Sequence, residues 1–365
     1  MAIKRISKNE IKTNAILCAI DTDSSFSLED SLDELERLAE TAGAVCVARI
    51  LQPRDKPDIR TYIGSGKVKE LADFISARND SDDKIDIVIF DDELSPSQIK
   101  NLEDELDCRV IDRTMLILDI FAGRATTAEG KLQVEIACLR YTAPRLIGKG
   151  TQLSRLAGGI GTRGPGESKL ETDRRHLKRR IAALDERIEE LERTRDVQRS
   201  RRRKSGIKVV AIVGYTNAGK STLMNALTDA NIFAEDKLFA TLDPTTRNLR
   251  LPNGKELLLT DTVGFVNRLP HHLVKAFKST LEEVKHASAI IELVDASEKE
   301  EQRAMKIDVT EKLIEELGAG EKPIIKVYNK CDIETDIDFI PRDAIRISAK
   351  TGRGLDKLLS KLEEI

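Results

Sequence analysis

The chain has 365 residues, 34% charged and 40% hydrophobic, with a formal net charge of −3. That length carries two or three domains, each able to bury its own core. No apolar run approaches the roughly 18 residues a membrane span needs, the start MAIKRISKNE lacks a signal-peptide core, and Cys18, Cys46, Cys108, Cys138 and Cys331 show no metal-ligand spacing, so secretion and stable membrane insertion are not expected and a cytoplasmic protein with reduced core thiols is.

Charge is unevenly placed along the chain. Residues 1–112 carry 15 Lys and Arg against 25 Asp and Glu, residues 113–206 carry 22 against 12, and the remainder 23 against 26. A basic middle between acidic flanks predicts that one part of the molecule meets a polyanion such as RNA; a solvated helical arm with charges of both signs is the alternative.

Residues 1–112 alternate strand and helix signals. Asn14 to Ile20, Ala44 to Leu51 and Ile85 to Phe90 are rich in Val, Ile and Ala, whereas Leu28 to Ala42, Lys67 to Ala77 and Pro96 to Leu106 carry apolar residues at helical spacing. The pattern predicts a small α/β domain with a mostly parallel sheet. Gly64-Ser65-Gly66-Lys67 precedes one of these helices without full P-loop spacing, and reads as a strand-to-helix turn or a second nucleotide site.

Residues 113–206 predict an antiparallel helical hairpin. Leu177, Ile181, Leu184, Ile188 and Leu191 make a narrow 4-3-4-3 seam, and Leu132, Ile136 and Leu139 share a face. Arg155 to Glu167 holds too much Gly and Pro for a regular helix and is flanked by Arg145, Lys149, Lys169, Arg174 and Arg175. Little side-chain bulk between basic shoulders lets a phosphate backbone come close; a hinge is the other reading. Arg199 to Gly206 reads as a basic contact with RNA or as a solvated linker, and both readings place a domain boundary near Gly206. Four histidines, His176, His271, His272 and His286, are too few and too scattered for a metal site.

Residues 207–365 carry the chemistry. The apolar run Ile207 to Val213 leads into Gly214-Tyr215-Thr216-Asn217-Ala218-Gly219-Lys220-Ser221, and Thr222 continues into a helix-like stretch. Strand, glycine loop and helix start in that order wrap phosphates with backbone N–H groups and a helix dipole. Lys220 is expected to reach the β and γ phosphates and Ser221 to offer its hydroxyl to Mg²⁺. Phe239-Ala240-Thr241-Leu242-Asp243-Pro244-Thr245-Thr246 supplies three candidate threonines for the same metal, among which spacing does not choose. Asp261-Thr262-Val263-Gly264 ends the strand-like run Leu257 to Thr260. Asp261 is placed to hold Mg²⁺ through water and the Gly264 N–H to bond the γ phosphate, so that losing this phosphate releases the segment that follows.

Phe265 stands where many GTPases carry the glutamine that orients the attacking water. Slow intrinsic hydrolysis, raised by a partner or a monovalent cation, is therefore expected; a core anchor for the switch is a compatible reading. Asn329-Lys330-Cys331-Asp332 follows the apolar run Ile324 to Tyr328, and Asp332 is expected to accept from the two neighbouring N–H donors that guanine has and adenine lacks. Ser348-Ala349-Lys350 would meet the guanine carbonyl. The substrate expected is GTP, bound by a P-loop domain with a mostly parallel sheet and helices on both faces.

Together the α/β N-terminal segment, GGIGTRGPGESKLETDRR, GYTNAGKS, FATLDPTTR and DTVGFV resemble the HflX family of translational GTPases over nearly the whole chain. The resemblance implies a monomeric GTPase that binds the large ribosomal subunit through ribosomal RNA, not DNA, and helps split or rescue ribosomes, with the glycine-rich tip entering near the subunit's catalytic centre. It also selects Thr241 as the switch ligand to Mg²⁺ and implies that Asn217 coordinates K⁺. The chain ends at Ile365, so the further C-terminal domain of many bacterial members is expected to be missing. Two other classes stay open: an ATP-driven RNA-remodelling enzyme using Gly64 to Lys67, and a GTP-dependent binding module for a protein or membrane partner.

Overall fold

Asn14 to Ile20 is apolar without alternation, as a strand covered on both faces must be. It lies within β1 (Thr13–Asp21), whose residues 15–20 are all buried. The structure, a computed structural model, describes residues 13–21, 28–79, 83–146, 165–204, 206–228, 238–239, 242, 244–268, 283–333, 340–342 and 344–365. By contact the chain divides into two units, one from Met1–Ile120 and Arg140–His176, the other from Phe121–Leu139 and Leu177–Ile365.

In the first unit, β1, β2 (Ala44–Pro53), β3 (Ile87–Phe90) and β4 (Arg109–Asp112) form a wholly parallel sheet in the order β2-β1-β3-β4. The crossovers are α1 (Leu28–Thr41), α2 (Ser65–Ser76) and α3 (Pro96–Leu106). Helix α3 starts on a capping box: the Gln98 N–H donates to Ser95 Oγ at 3.2 Å, and the Ser95 N–H to Gln98 Oε1 at 2.9 Å, with Pro96 in the first turn. Strand β4 was not foreseen, because only Val110 and Ile111 of its four residues are apolar.

The start of α4 (Arg113–Arg124) is tied to the sheet by Arg113, which is buried and pairs with Asp91 at 2.7 Å and with Glu34. At Gly64, which caps α2, the N–H donates to Gln52 Oε1 at 2.8 Å, and Lys67 pairs with Glu70 at 2.7 Å.

The second unit holds most of α5 (Ala128–Leu146) and of α6 (Pro165–Lys204). Glu129 pairs with Arg195 and Glu135 with Arg180. One partner advances as the other recedes, so the two helices run antiparallel. Leu184 of the expected seam is buried, as is Ile136 opposite. Two boundaries stand out: Pro165 to Glu167, expected in the irregular tip, open α6, and Arg199 to Lys204, read as an RNA contact or a linker, are its last turns and not an irregular linker. Pro suits a first turn, and Arg and Lys are good helix formers. The rest of the tip, Arg155 to Gly164, lies outside the described residues.

The other sheet of this unit has the order β10-β9-β8-β5-β7-β6, built from β5 (Lys208–Val213), β6 (Thr245–Arg250), β7 (Glu256–Asp261), β8 (Ala289–Asp295), β9 (Ile324–Asn329) and β10 (Ile345–Arg346). All neighbours are parallel except β6 and β7. Leu223 and Met224 of α7 (Lys220–Thr228) and Leu358 and Leu362 of α9 (Leu355–Glu363) pack in one core, whereas Leu313 and Ile314 of α8 (Glu300–Glu316) pack in another. Strand β5 lies between β7 and β8, where the order of the parallel strands reverses, so its carboxyl end marks the crevice in which such sheets bind ligands.

Candidate functional site

The P-loop occupies that crevice. Gly214 leaves β5 at φ 152°, and a Cβ there would lie 2.3 Å from the Leu293 carbonyl oxygen, so no larger residue fits between loop and sheet. Asn217 and Gly219 take φ of 64° and 94°, left-handed conformations that turn the backbone into a cradle. Lys220, only 7% exposed, donates to the carbonyl oxygens of Gly214 at 3.1 Å and Tyr215 at 2.9 Å. Burial lowers its pKa to about 8, partly offset by Asp261. Thr216 and Ala218 are buried, and Ser221 and Thr222 are half-buried at the start of α7.

Asp261, at the end of β7, is fully buried, and its Oδ2 accepts from Ser221 Oγ at 2.8 Å. A hydroxyl and a carboxylate, both hard oxygen donors, fit Mg²⁺, which takes few protein ligands and fills its shell from phosphate and water. No cluster of three or more His, Cys, Asp or Glu suited to a metal occurs among the described residues.

Thr262 donates to the Ile212 carbonyl at 2.7 Å, and Val263 is buried. Gly264 lies directly on the P-loop: a Cβ there would sit 2.7 Å from Thr216 Cγ2 and 2.9 Å from Lys220 Nζ. Phe265 is 1% exposed and packs among Ala211, Val213, Ile290 and Leu313. Its ring is thus a core anchor. Of the other switch segment, Phe239 (φ 54°) and Leu242 are buried, and Phe239 meets Phe121 edge-to-face at 4.7 Å. Ala240, Thr241 and Asp243 lie outside the described residues, as do His271 and His272.

The P-loop and the segment Ser348 to Lys350 converge on Asn329. Its Nδ2 donates to the Ala218 carbonyl at 2.8 Å and its Oδ1 accepts from the Ala349 N–H at 2.9 Å. This brace between the P-loop and Ser348–Lys350 was missed in the sequence, where Asn329 counted only as the first residue of a guanine motif. Lys330, at φ 63°, pairs with Asp295 at 2.6 Å. Asp332 is exposed, and a hydrogen bond from the fully buried Ser348 holds its carboxyl below the usual range. Cys331 donates through Sγ to the Tyr328 carbonyl at 3.4 Å, and Lys350 is exposed.

A glycine loop with a buried lysine between a strand end and a helix start, an adjoining Ser–Asp pair, Gly264 seated on that loop and a second loop braced to it by Asn329, on a mostly parallel sheet with helices on both faces, are the arrangement of a P-loop GTPase. Three family profiles match: "GTP-binding GTPase N-terminal" over residues 29–122, "GTP-binding GTPase Middle Region" over 124–202 and "50S ribosome-binding GTPase" over 209–330. GTPase HflX of Lacrimispora saccharolytica is 53% identical across 99% of this chain and 84% of its own, and GTPase HflX of Escherichia coli is 44% identical across 96% and 82%. The chain therefore belongs to the HflX GTPase family. A GDP-bound GTP-binding protein, SsGBP, shares the fold with a TM-score of 0.52 at 24% identity, covering 96% of this chain and 98% of its own. No helix among the described residues is long and apolar enough to cross a membrane.

Proposed function

We propose that the chain is a cytoplasmic, monomeric GTP-hydrolysing switch that docks in its GTP state on the large ribosomal subunit and splits or rescues ribosomes. Residues 1–112 and 207–365 would flank a basic arm, residues 113–206, that meets ribosomal RNA. In this reading the P-loop amides and Lys220 hold the β and γ phosphates, Gly264 offers its N–H to the γ phosphate, and Asp332 reads guanine with Ser348 to Lys350 beside it. Ser221 and Thr241 would ligate Mg²⁺ and Asp261 would hold it through water; bound there, the ion neutralises phosphate charge. Asn217 would hold K⁺.

The observation that carries the reading is the direct approach of Gly264 to Thr216 and Lys220, which lets the phosphate end of a nucleotide set the position of the switch. The fully buried Phe265 leaves no side chain at that position to orient water, so a partner is expected to complete the site.

The test is GTP turnover in potassium and in sodium buffer, with and without purified large subunits. Stimulation of about tenfold or more by the subunits, on the scale of about 1.4 kcal/mol in barrier, is the expected result, together with faster turnover in potassium. Undiminished GTP binding with no stimulation would remove the large subunit as the activator.

A further inference from the structure

Tyr215 is the second residue of the P-loop, and the reading above gives its side chain no task. It is 6% exposed, its ring lies toward α8 with Lys306 Nζ 4.9 Å from the centroid, and Lys306 is ion-paired with Glu298. Its phenol oxygen accepts the backbone N–H of Asn267 at 2.5 Å. Three bonds thus fasten the stretch after Gly264 to the P-loop. The Phe265 N–H donates to the Gly214 carbonyl at 3.1 Å, the Thr216 N–H to the Phe265 carbonyl at 2.7 Å, and the Asn267 N–H to the Tyr215 phenol. The first two are backbone bonds that any sequence can make; the third needs a side chain of this length ending in an acceptor.

Gly264 is therefore held on both sides. Upstream, Thr262 is bonded to Ile212; downstream, the Phe265 ring is in the core and the chain is tied again at Asn267. Phe265 is buried in the core, so at position 265 the segment offers the reacting phosphate its backbone and no polar side chain.

We infer that Tyr215 is a positioning residue for GTP hydrolysis: its phenol oxygen, by holding Asn267, fixes the peptide that presents Gly264 to the γ phosphate. The inference rests on the role proposed above for Gly264.

Tyr215→Phe keeps the ring and its contact with Lys306 and deletes the hydroxyl, and with it the bond from the Asn267 N–H. One net hydrogen bond corresponds to about a 3- to 10-fold effect. The full chain should lose about that factor in kcat for GTP while KM for GTP, affinity for GDP and the thermal midpoint stay near wild type. Tyr215→Leu, which also removes the ring, should lower the thermal midpoint without lowering kcat much further. An unchanged kcat in Tyr215→Phe would overturn the inference. So would a kcat loss that comes with weaker GDP binding and a lower midpoint, or one seen only when the ring is removed, since each makes Tyr215 a structural support for the loop. The site reading fails separately, if GTP turnover survives Lys220→Ala.

Discussion

Glu292 lies on β8 with 1% of its surface exposed and faces Lys326, whose Nζ is 3.6 Å from the carboxylate and also pairs with Glu311. Burial pushes the Glu292 carboxyl up from 4.5 to about 7, with Lys326 pulling the other way. Between those values the folded chain keeps a proton that the unfolded chain has released. Its contribution to stability is thus fully present below about pH 4.5 and is lost as pH rises through about 7, a change on the order of 3 kcal/mol. Glu292→Gln should raise the thermal midpoint by several degrees at pH 8 and by much less at pH 5. Equal shifts at both values would refute this.

A charged residue inside the apolar run AIIELVD reads in sequence as a strand interruption or an edge, and only the pairing of β8 with β9 shows that Lys326 stands opposite. Tyr215 was hidden for the same reason. Its partner is 52 residues away, and no local pattern records such a pairing.

At the level of elements, the antiparallel pair α5 and α6 carries two ion pairs of unequal surroundings. Arg195 and Glu129 have side chains 25% and 10% exposed, against 62% and 36% for Arg180 and Glu135. Removing one member of a mostly buried pair leaves a desolvated charge, whereas an exposed pair is worth little. Arg195→Ala is expected to lower stability by about 1–3 kcal/mol and Arg180→Ala by less than about 0.5 kcal/mol, read as thermal midpoints. Equal effects would mean that the Glu129 site is as wet as the other. The seam Leu177 to Leu191 was legible because a 4-3-4-3 spacing needs no partner to be seen. The ends of α6 were not: Pro and Gly signal breaks and Arg runs signal linkers, yet both sit within its 40 residues, because a Pro in the first turn lacks only an N–H that would be unsatisfied there anyway.

Over the whole molecule the charge runs from −10 through +10 to −3, on 15 against 25, 22 against 12 and 23 against 26 charged residues. If the basic arm neutralises phosphates, affinity for large subunits should fall by one to three decades between about 50 and 200 mM salt. Reversing the exposed Arg174 and Arg175 to Glu should weaken binding and flatten that dependence. Salt-insensitive binding that tolerates both reversals would point instead to a protein partner. Strands β5, β7 and β9 of the GTPase sheet could be anticipated because each is a mostly apolar run that ends in a motif; β6, which is polar (TTRNLR), and the two-residue β10 could not. The four-residue β4 and the link from Phe121 to Phe239 could not, since they depend on packing between segments distant in sequence.

The Asn329 brace bears on what sort of ligand the crevice accepts. One amide is bonded at the same time to the loop that would take phosphate and to the loop beside the base, so shaping either end shapes the other. Preorganisation of this kind lowers the ordering cost that a second fragment would otherwise meet. Guanosine and pyrophosphate, offered as separate molecules, would then each improve the fit of the other, and the recognition of a whole nucleotide is a property of the joined loops more than of any one contact.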